Sequence, residues 1–374
     1  MKYLKQLDSL RAIAVTLVII HHWFPENSRL RLYTGLFNGV DIFFVLSGFL
    51  ITRILLQNRN DAEQMELSKS TIIKNFFIRR VLRIFPIYYL FLFGMFLFAH
   101  ATDTTIRENF IYYVTYTVNI YFYNIQGWDG MLSHLWTLSV EEQFYLIWPW
   151  LMLFPRKSWL LPIILSSIIT GILMQLLFPQ TMLLTYTCLD GFGAGAFIAW
   201  ALVYNPRFLV LTKMLWPVLA ICGFSLQLIQ FLGYPIPIPS RTLTAFVVLW
   251  VILQVLKERN KPLLLYFILN NRILIFIGKI SYGIYLYHFM IPYFSYGFLY
   301  KINHFLPTAI TKYYFYLFRL ENFFLVILLA YLSWRFIELP VLRLKKYFEY
   351  QKPEVPLTKK AVLQPTLSNA EINN

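Results

Sequence analysis

Long apolar stretches without a single Asp, Glu, Lys or Arg restrict the folds available to this chain of 374 residues. Four of them cover residues 84–102, 158–189, 214–240 and 280–300. An α-helix of about 20 apolar residues crosses the hydrocarbon core of a bilayer. Because 58% of the residues are hydrophobic and only 14% are charged, a soluble domain is nearly excluded. The sequence predicts an all-α polytopic membrane protein.

Apolar stretches with polar borders predict about ten transmembrane helices. They cover residues 10–24, 36–56, 84–102, 138–154, 159–178, 183–204, 214–233, 242–256, 273–298 and 322–342. A Tyr-rich stretch, residues 110–124, is interpreted as an interfacial or re-entrant segment. Residues 1–344 are expected to form one integral membrane domain, and residues 345–374 a disordered polar cytoplasmic tail.

The distribution of basic residues predicts the orientation in the membrane. If the N-terminus is cytoplasmic, 24 of the 33 Lys and Arg residues fall on the inner side and 7 on the outer side. Because cytoplasmic loops are enriched in Lys and Arg, both termini are predicted to be cytoplasmic. The same rule accounts for the net charge of +15 without nucleic acid as a partner. The two cysteines, Cys188 and Cys222, lie in apolar stretches and give no zinc-like spacing, so no metal is expected.

The first predicted helix carries ionisable residues that are costly within a membrane. Arg11 and His22 are eleven positions apart, about three turns, and therefore share one helix face. His21 lies off that face. Asp8 is one turn before Arg11 and can pair with it. Alternatively, His22 is an interfacial histidine and Arg11 extends to the cytoplasmic headgroups.

A second cluster lies at the cytoplasmic entrance of the third predicted helix. Arg80 and Arg83 share a face at a spacing of three residues, and guanidinium groups suit bidentate recognition of phosphate. This pair predicts a phosphate clamp that faces the cytosol. The alternative is an anchor that contacts lipid phosphates.

The fourth predicted helix begins with two adjacent carboxylates, Glu141 and Glu142. Adjacent helical residues point about 100° apart, so the two are not expected to serve the same partner. Either glutamate can instead stabilise the helix N-terminus. His134, just before them, is interpreted as an ordinary loop histidine.

Other polar residues in apolar stretches have simpler interpretations. Asp41, and Ser281 with His288, lie in Gly-containing stretches that favour close helix packing. Arg335 and Glu338, three residues apart in the last predicted helix, are expected to neutralise each other.

Taken together, these segments resemble the bacterial membrane-bound acyltransferase family 3. The matching segments are residues 7–14, followed by His22 with ten residues between Arg11 and His22, then residues 39–52, the Arg80–x–x–Arg83 pair, residues 139–145 and residues 280–288. They extend over residues 4–344. The resemblance implies a multi-pass protein of the bacterial cytoplasmic membrane that O-acylates cell-surface carbohydrates, in a stand-alone form without a C-terminal esterase-like domain.

The resemblance also implies an acyl-CoA donor, most often acetyl-CoA. Arg80 and Arg83 are expected to hold the CoA phosphates, with the pantetheine arm passing Arg11. His22 is expected to act as general base on a hydroxyl of a surface glycan or glycolipid, or to carry the acyl group transiently.

A carboxylate is expected to orient His22 or to stabilise its imidazolium, as in triad enzymes. Glu142 is the first choice for this role and Glu141 the second.

A carrier or exporter of a glycolipid or small metabolite is the competing interpretation, since it too would hold embedded charges and aromatic side chains. The sequence contains no paired inverted-repeat pattern of the kind found in many transporters.

Overall fold

The computed structural model describes residues 3–65, 68–102, 104–257 and 262–348. Within these ranges every regular element is a helix. The first ten α-helices are α1 (Gln6–Trp23), α2 (Arg29–Thr34), α3 (Gly39–Met65), α4 (Lys69–Leu97), α5 (Ala99–Thr102), α6 (Phe110–Val114), α7 (Val118–Ile125), α8 (Leu135–Leu153), α9 (Lys157–Leu177) and α10 (Leu189–Tyr204). The others are α11 (Pro206–Leu211), α12 (Leu215–Phe231), α13 (Ser240–Leu256), α14 (Leu263–Leu269), α15 (Arg272–Lys279), α16 (Ser281–Tyr287), α17 (Met290–Asn303), α18 (Thr308–Thr311), α19 (Tyr314–Ser333) and α20 (Leu339–Arg343).

The prediction of an all-α membrane protein is confirmed in its main feature. In the described part of the chain, five helical stretches have the length and hydropathy of a membrane span. They are Arg29–Gln64, Lys69–Leu97, Lys157–Leu177, Thr185–Tyr204 and Tyr314–Phe348, and their mean hydropathy ranges from 1.3 to 2.2. Leu215–Phe231 and Ser240–Leu256 are shorter apolar helices. The count of ten spans and the cytoplasmic termini stay predictions, and most of the predicted tail, residues 349–374, lies outside the described residues.

Three predicted segments have a different local structure. Helix α4 begins at Lys69, well before the predicted start at residue 84. Residues 273–298 are divided among α15, α16 and α17. Residues 110–124 form the short helices α6 and α7, separated by Tyr116 with φ of +54°. At about 1.5 Å per residue, these two helices are too short to cross a membrane.

The surface of α8 shows how the bundle meets its surroundings. Leu146, Ile147 and Trp150 are exposed, whereas Tyr145 and Trp148 on the other side of the helix are buried. Large apolar side chains exposed on a long helix suit contact with lipid. The opposite face of α8 is therefore the one that supplies side chains to the interior.

Two glycines permit the close helix contacts that hold the interior together. A Cβ atom on Gly48 of α3 would lie 2.0 Å from the carbonyl oxygen of Phe192 in α10. A Cβ atom on Gly278 of α15 would lie 1.8 Å from the carbonyl oxygen of Asp8 in α1. Small residues allow helix backbones to approach in this way in membranes. The second contact positions the part of α1 that carries Arg11.

A buried ion pair joins two further helices. The Arg241 Nε atom of α13 donates to Asp41 Oδ1 of α3 at 2.9 Å. Arg241 also donates to the carbonyl oxygen of Thr187 at 2.8 Å. Asp41, whose sequence context favours a packing position, therefore holds a structural ion pair and does not line the site described below.

Candidate active site

Five of the six predicted site residues line one cavity, which we call the arginine cavity. The cavity has about 700 Å³ of empty space, including the part open to the outside. Its charged lining residues are Arg11, Arg80, Arg83, Glu141 and Glu142. Helix α1 supplies the first, α4 the next two and α8 the glutamates, so three helices far apart in sequence converge here.

Both glutamates of α8 face the arginine cavity, although adjacent helical residues diverge by about 100°. Glu141 Oε1 accepts a hydrogen bond from Ser47 Oγ at 2.8 Å. The Tyr145 hydroxyl in turn donates to Ser47 Oγ at 3.0 Å. The guanidinium carbon of Arg80 lies 4.8 Å from the centroid of the Tyr145 ring. Aromatic and hydroxyl groups thus hold one carboxylate and one guanidinium in place.

Arg11 occupies the position that helix geometry predicts. Its Nη1 atom lies 3.9 Å from Asp8 Oδ1, one turn earlier in α1. Asp8 is buried, and the Tyr3 hydroxyl also donates to it. The pairing keeps the charge of Arg11 compensated while its side chain lines the cavity.

His22 lines a different cavity, which we call the histidine pocket. This pocket has about 470 Å³ of empty space, part of it open, and its lining residues are His22, Trp23, Phe289, Pro292, Phe318, Arg319 and Asn322. The His22 ring packs on Phe289, with 4.6 Å between ring centroids. Its side chain is exposed at the pocket rather than enclosed in the arginine cavity.

The expected contact between His22 and a glutamate of α8 is not present among the described residues. His22 Nδ1 instead lies 3.0 Å from His288 Nε2. His134 directly precedes α8, and its ring lies beside the ring of His288, with 4.9 Å between the centroids. Glu141 is seven residues further along, which corresponds to about 10 Å of helix. The glutamates therefore reach the arginine cavity and not His22.

Hydrogen bonding determines which nitrogen of each ring carries a proton. His288 Nδ1 lies 2.5 Å from the carbonyl oxygen of Tyr285. A carbonyl oxygen only accepts, so this nitrogen is the donor, and in a neutral ring Nε2 of His288 is then an acceptor. His22 Nδ1 must donate to it, which leaves Nε2 of His22 with a free lone pair. A nitrogen in this state is able to take a proton from a hydroxyl group.

Tyr285 of α16 links the arginine cavity to His288, the partner of His22. Its side chain lines the arginine cavity, while its carbonyl oxygen holds His288. Its hydroxyl lies 2.5 Å from Thr137 Oγ1 and donates to the carbonyl oxygen of His134 at 3.0 Å. No sequence pattern singles out Tyr285, and the sequence around His134 and His288 favours a loop residue and a packing residue, respectively. The only signal for His288 was its place at the end of the motif at residues 280–288.

The expected neutralisation of Glu338 by Arg335 is wrong. Residues Trp334–Glu338 form a π-helix, so a spacing of three residues no longer brings side chains onto one face. Arg335 is exposed, whereas Glu338 is buried and within electrostatic range of Arg83 of α4.

Comparisons with known proteins identify the family of the chain. A protein-family profile described as "Acyltransferase domain" matches residues 4–338. The "Peptidoglycan O-acetyltransferase OatA" of Listeria monocytogenes is 30% identical over 319 residues, which are 78% of this chain and 49% of that protein. The "Putative O-acetyltransferase SACOL0978" of Staphylococcus aureus is 28% identical over 379 residues, covering 91% of this chain and 57% of that protein.

A third relative is similar over a shorter region. The "Putative peptidoglycan O-acetyltransferase YrhL" of Bacillus subtilis is 36% identical over 159 residues, which are 40% of this chain and 23% of that protein. The chain spans about half the length of the first two relatives. No solved structure matches the chain.

Proposed function

Because the chain belongs to the acyltransferase family that matches residues 4–338, we propose that it transfers an acyl group, most often acetyl, from cytoplasmic acyl-CoA to an extracytoplasmic glycan hydroxyl. The observation that carries this proposal is a pair of chemically different cavities that are linked through Tyr285 and His288. One is lined by three arginines, and the other presents a histidine nitrogen with a free lone pair. Tyr285 lines the first cavity, and its carbonyl oxygen accepts a hydrogen bond from His288, the partner of His22.

The arginine cavity suits the phosphate groups of acyl-CoA. Arg80 and Arg83 present guanidinium groups that can bind phosphate with two hydrogen bonds each. Arg11 lines the same cavity, next to Asp8. In this proposal the arginines hold the nucleotide end and the thioester extends toward Tyr285.

The two glutamates act on the arginines and not on His22. Glu141 and Glu142 line the arginine cavity within electrostatic range of Arg80. In the absence of donor, they keep the guanidinium side chains oriented toward the cavity. They are therefore proposed as positioning residues for the donor.

The histidine pocket is proposed to bind the acceptor. Nε2 of His22 takes the proton of a sugar hydroxyl while that oxygen forms a bond to the thioester carbonyl carbon. The carbon–sulfur bond then breaks, and the sulfur atom takes the proton back from His22 Nε2, so that CoA leaves as the thiol. Transient transfer of the acyl group to His22 Nε2, followed by transfer to the sugar, uses the same nitrogen and the same two substrates.

The proposed sidedness and location follow from the charge distribution. The arginine cavity would face the cytoplasm, where acyl-CoA is available, and both termini would lie on that side. The protein would be a multi-pass protein of the bacterial cytoplasmic membrane. Two of the relatives carry peptidoglycan in their names, so peptidoglycan is the first acceptor to test.

Inside-out membrane vesicles test this function against export. Radiolabelled acetyl-CoA is supplied outside the vesicles, and peptidoglycan fragments are enclosed within them. We expect label on the enclosed glycan that mild alkali releases, as it does for an O-ester. Movement of unlabelled glycan across the membrane without transfer of label would support an exporter instead and would overturn the proposal.

A further inference from the structure

Arg319 lines the histidine pocket together with His22, and most of its hydrogen-bond donors have no partner within the described residues. Its Nε atom donates to the carbonyl oxygen of Trp23 at 3.1 Å. Its guanidinium carbon lies 4.1 Å from the centroid of the Phe315 ring and 5.6 Å from that of Phe318. These contacts hold the planar group in one orientation. Nη1 and Nη2 donate to no residue in the described part of the chain.

The charge of Arg319 also lacks a carboxylate partner among the described residues. Four other arginines in the same ranges form ion pairs with acidic residues, namely Arg11 with Asp8, Arg31 with Glu26, Arg59 with Glu63 and Arg241 with Asp41. Arg319 is half-buried, so a fixed and uncompensated cation lies at the wall of a pocket. Such a group is suited to an anionic ligand.

Arg319 is the polar group of the pocket best suited to bind an anionic ligand, because Asn322 and Trp23 are already hydrogen-bonded within the protein. Asn322 accepts from Ser295 Oγ at 2.6 Å and donates to the carbonyl oxygen of Phe318 at 2.7 Å, so its amide is already bonded within the protein. The indole nitrogen of Trp23 donates to the carbonyl oxygen of His288 at 2.9 Å. His22 and Arg319 are thus the polar side chains of the pocket that retain free capacity for a ligand.

The other walls of the pocket suit a sugar ring. Trp23, Phe289 and Phe318 contribute aromatic surfaces, and Pro292 adds a further apolar contact. Binding sites for small molecules commonly combine apolar surfaces with a few polar groups that fix the orientation of the ligand. Here one such group is the proposed base, and the other is a guanidinium fork.

We infer that the histidine pocket selects a glycan that carries a carboxylate close to the hydroxyl that is acylated, and that Arg319 binds this carboxylate through Nη1 and Nη2. The inference rests on the proposed function, because it places the acceptor in the pocket of His22. A bidentate pair with a carboxylate is directional as well as strong. It would hold one face of the sugar against the aromatic rings and present the hydroxyl to Nε2 of His22.

The experiment compares two acceptors that differ only in this charge. One is a tetrasaccharide of alternating N-acetylglucosamine and N-acetylmuramic acid with free carboxylates, and the other is the same tetrasaccharide with the carboxylates converted to primary amides. Acetyl transfer from radiolabelled acetyl-CoA is measured with the full chain in vesicles. We expect kcat/KM to be about tenfold or more higher for the acidic sugar, as one charged hydrogen-bonded pair provides.

Substitution of Arg319 identifies the source of the preference. Arg319→Gln should lower kcat/KM for the acidic sugar far more than kcat/KM for the amide, so that the preference for the acidic sugar is lost. Arg319→Lys should keep part of the preference, since it retains the charge but not the fork. Lys312→Gln is the matched control, because Lys312 is an exposed cation that precedes the same helix and does not line the pocket.

The outcomes separate this inference from the proposed function. Transfer without preference for the acidic sugar in the unmodified protein overturns the inference and leaves the proposed function intact. An equal loss of activity toward both sugars in Arg319→Gln also overturns it, since a contact with lipid headgroups or a purely structural role would have that effect. Absence of transfer to either sugar contradicts the proposed function itself. The acceptor comparison needs no variant, so it remains informative if Arg319→Gln does not fold.

Discussion

The Nδ1 atom of His22 lies 3.0 Å from the Nε2 atom of His288, and the two rings stack at 24° with centroids 5.1 Å apart. In triad enzymes a carboxylate usually orients the histidine base. Here a neutral imidazole, itself fixed by the carbonyl oxygen of Tyr285, takes that position. A neutral imidazole at this position avoids an additional buried negative charge, which is costly in an apolar environment. Nδ1 of His22 keeps its proton and its partner both before and after Nε2 takes up the proton of the acceptor.

His22→Ala should abolish most of the transfer activity, because the alanine variant has no nitrogen to take the proton. General base catalysis commonly contributes about 10²- to 10⁴-fold to the rate, and a decrease in kcat within that range is expected. His21→Ala is the matched control, since His21 is adjacent in sequence and is absent from the lining of the pocket. Acetyl transfer is measured at equal expression of both variants. Equal activity of the two would remove His22 from the chemistry.

Replacement of His288 should reveal a positioning role. His288→Leu removes the acceptor for Nδ1 of His22 and should lower kcat on the order of 10²-fold, with little change in the KM for acyl-CoA. His288→Gln places an amide oxygen near the position of Nε2 and should restore part of kcat. His288→Asn is too short to reach His22 and should resemble the leucine variant. Kinetics of purified variants check this order, and an identical loss in all three would indicate that His288 only supports packing.

Conservative replacement of the clamp arginines should weaken donor binding. Arg80→Lys or Arg83→Lys keeps the charge but loses the two-pronged hydrogen bonding, so KM for acetyl-CoA should rise about tenfold while kcat changes little. Arg156→Lys, at an exposed position, serves as control. Donor titrations with acetyl-CoA and with its 3′-dephospho analogue distinguish the phosphates. Unchanged KM in both clamp variants would mean that these arginines contact lipid headgroups instead.

The buried pair between Arg241 and Asp41 should contribute to stability without taking part in transfer. Asp41→Ala leaves the Arg241 charge buried without its partner, and loss of one member of such a pair costs about 3–5 kcal/mol. Thermal unfolding in detergent should therefore shift to lower temperature. Asp61→Ala, at an exposed position, is the control. The double variant Asp41→Ala/Arg241→Ala should lose less than the sum of the single variants, and strict additivity would show that the two residues do not interact.

Features that depend on the geometry of one helix follow directly from the sequence. The pairing of Asp8 with Arg11 is confirmed, because residues three apart lie on neighbouring positions of an α-helix. Arg80 and Arg83 line the same cavity for the same reason. The expected pairing of Arg335 with Glu338 fails where this regularity ends, at a π-helix that the sequence pattern does not reveal.

The partners across helices came only from the tertiary structure. His22 and His288 are 266 positions apart, and Ser47 and Glu141 are 94 positions apart. Their contacts depend on how far each helix is rotated and shifted relative to its neighbour. Close approaches between helices, such as that of Gly278 to Asp8, determine this rotation and shift. The amino-acid order thus specified the membrane helices, the basic clusters and the spacing from Arg11 to His22. Only the tertiary structure shows that the glutamates line the arginine cavity and that His288 is the partner of His22. These contacts depend on packing between helices, which leaves no periodic pattern in a single sequence.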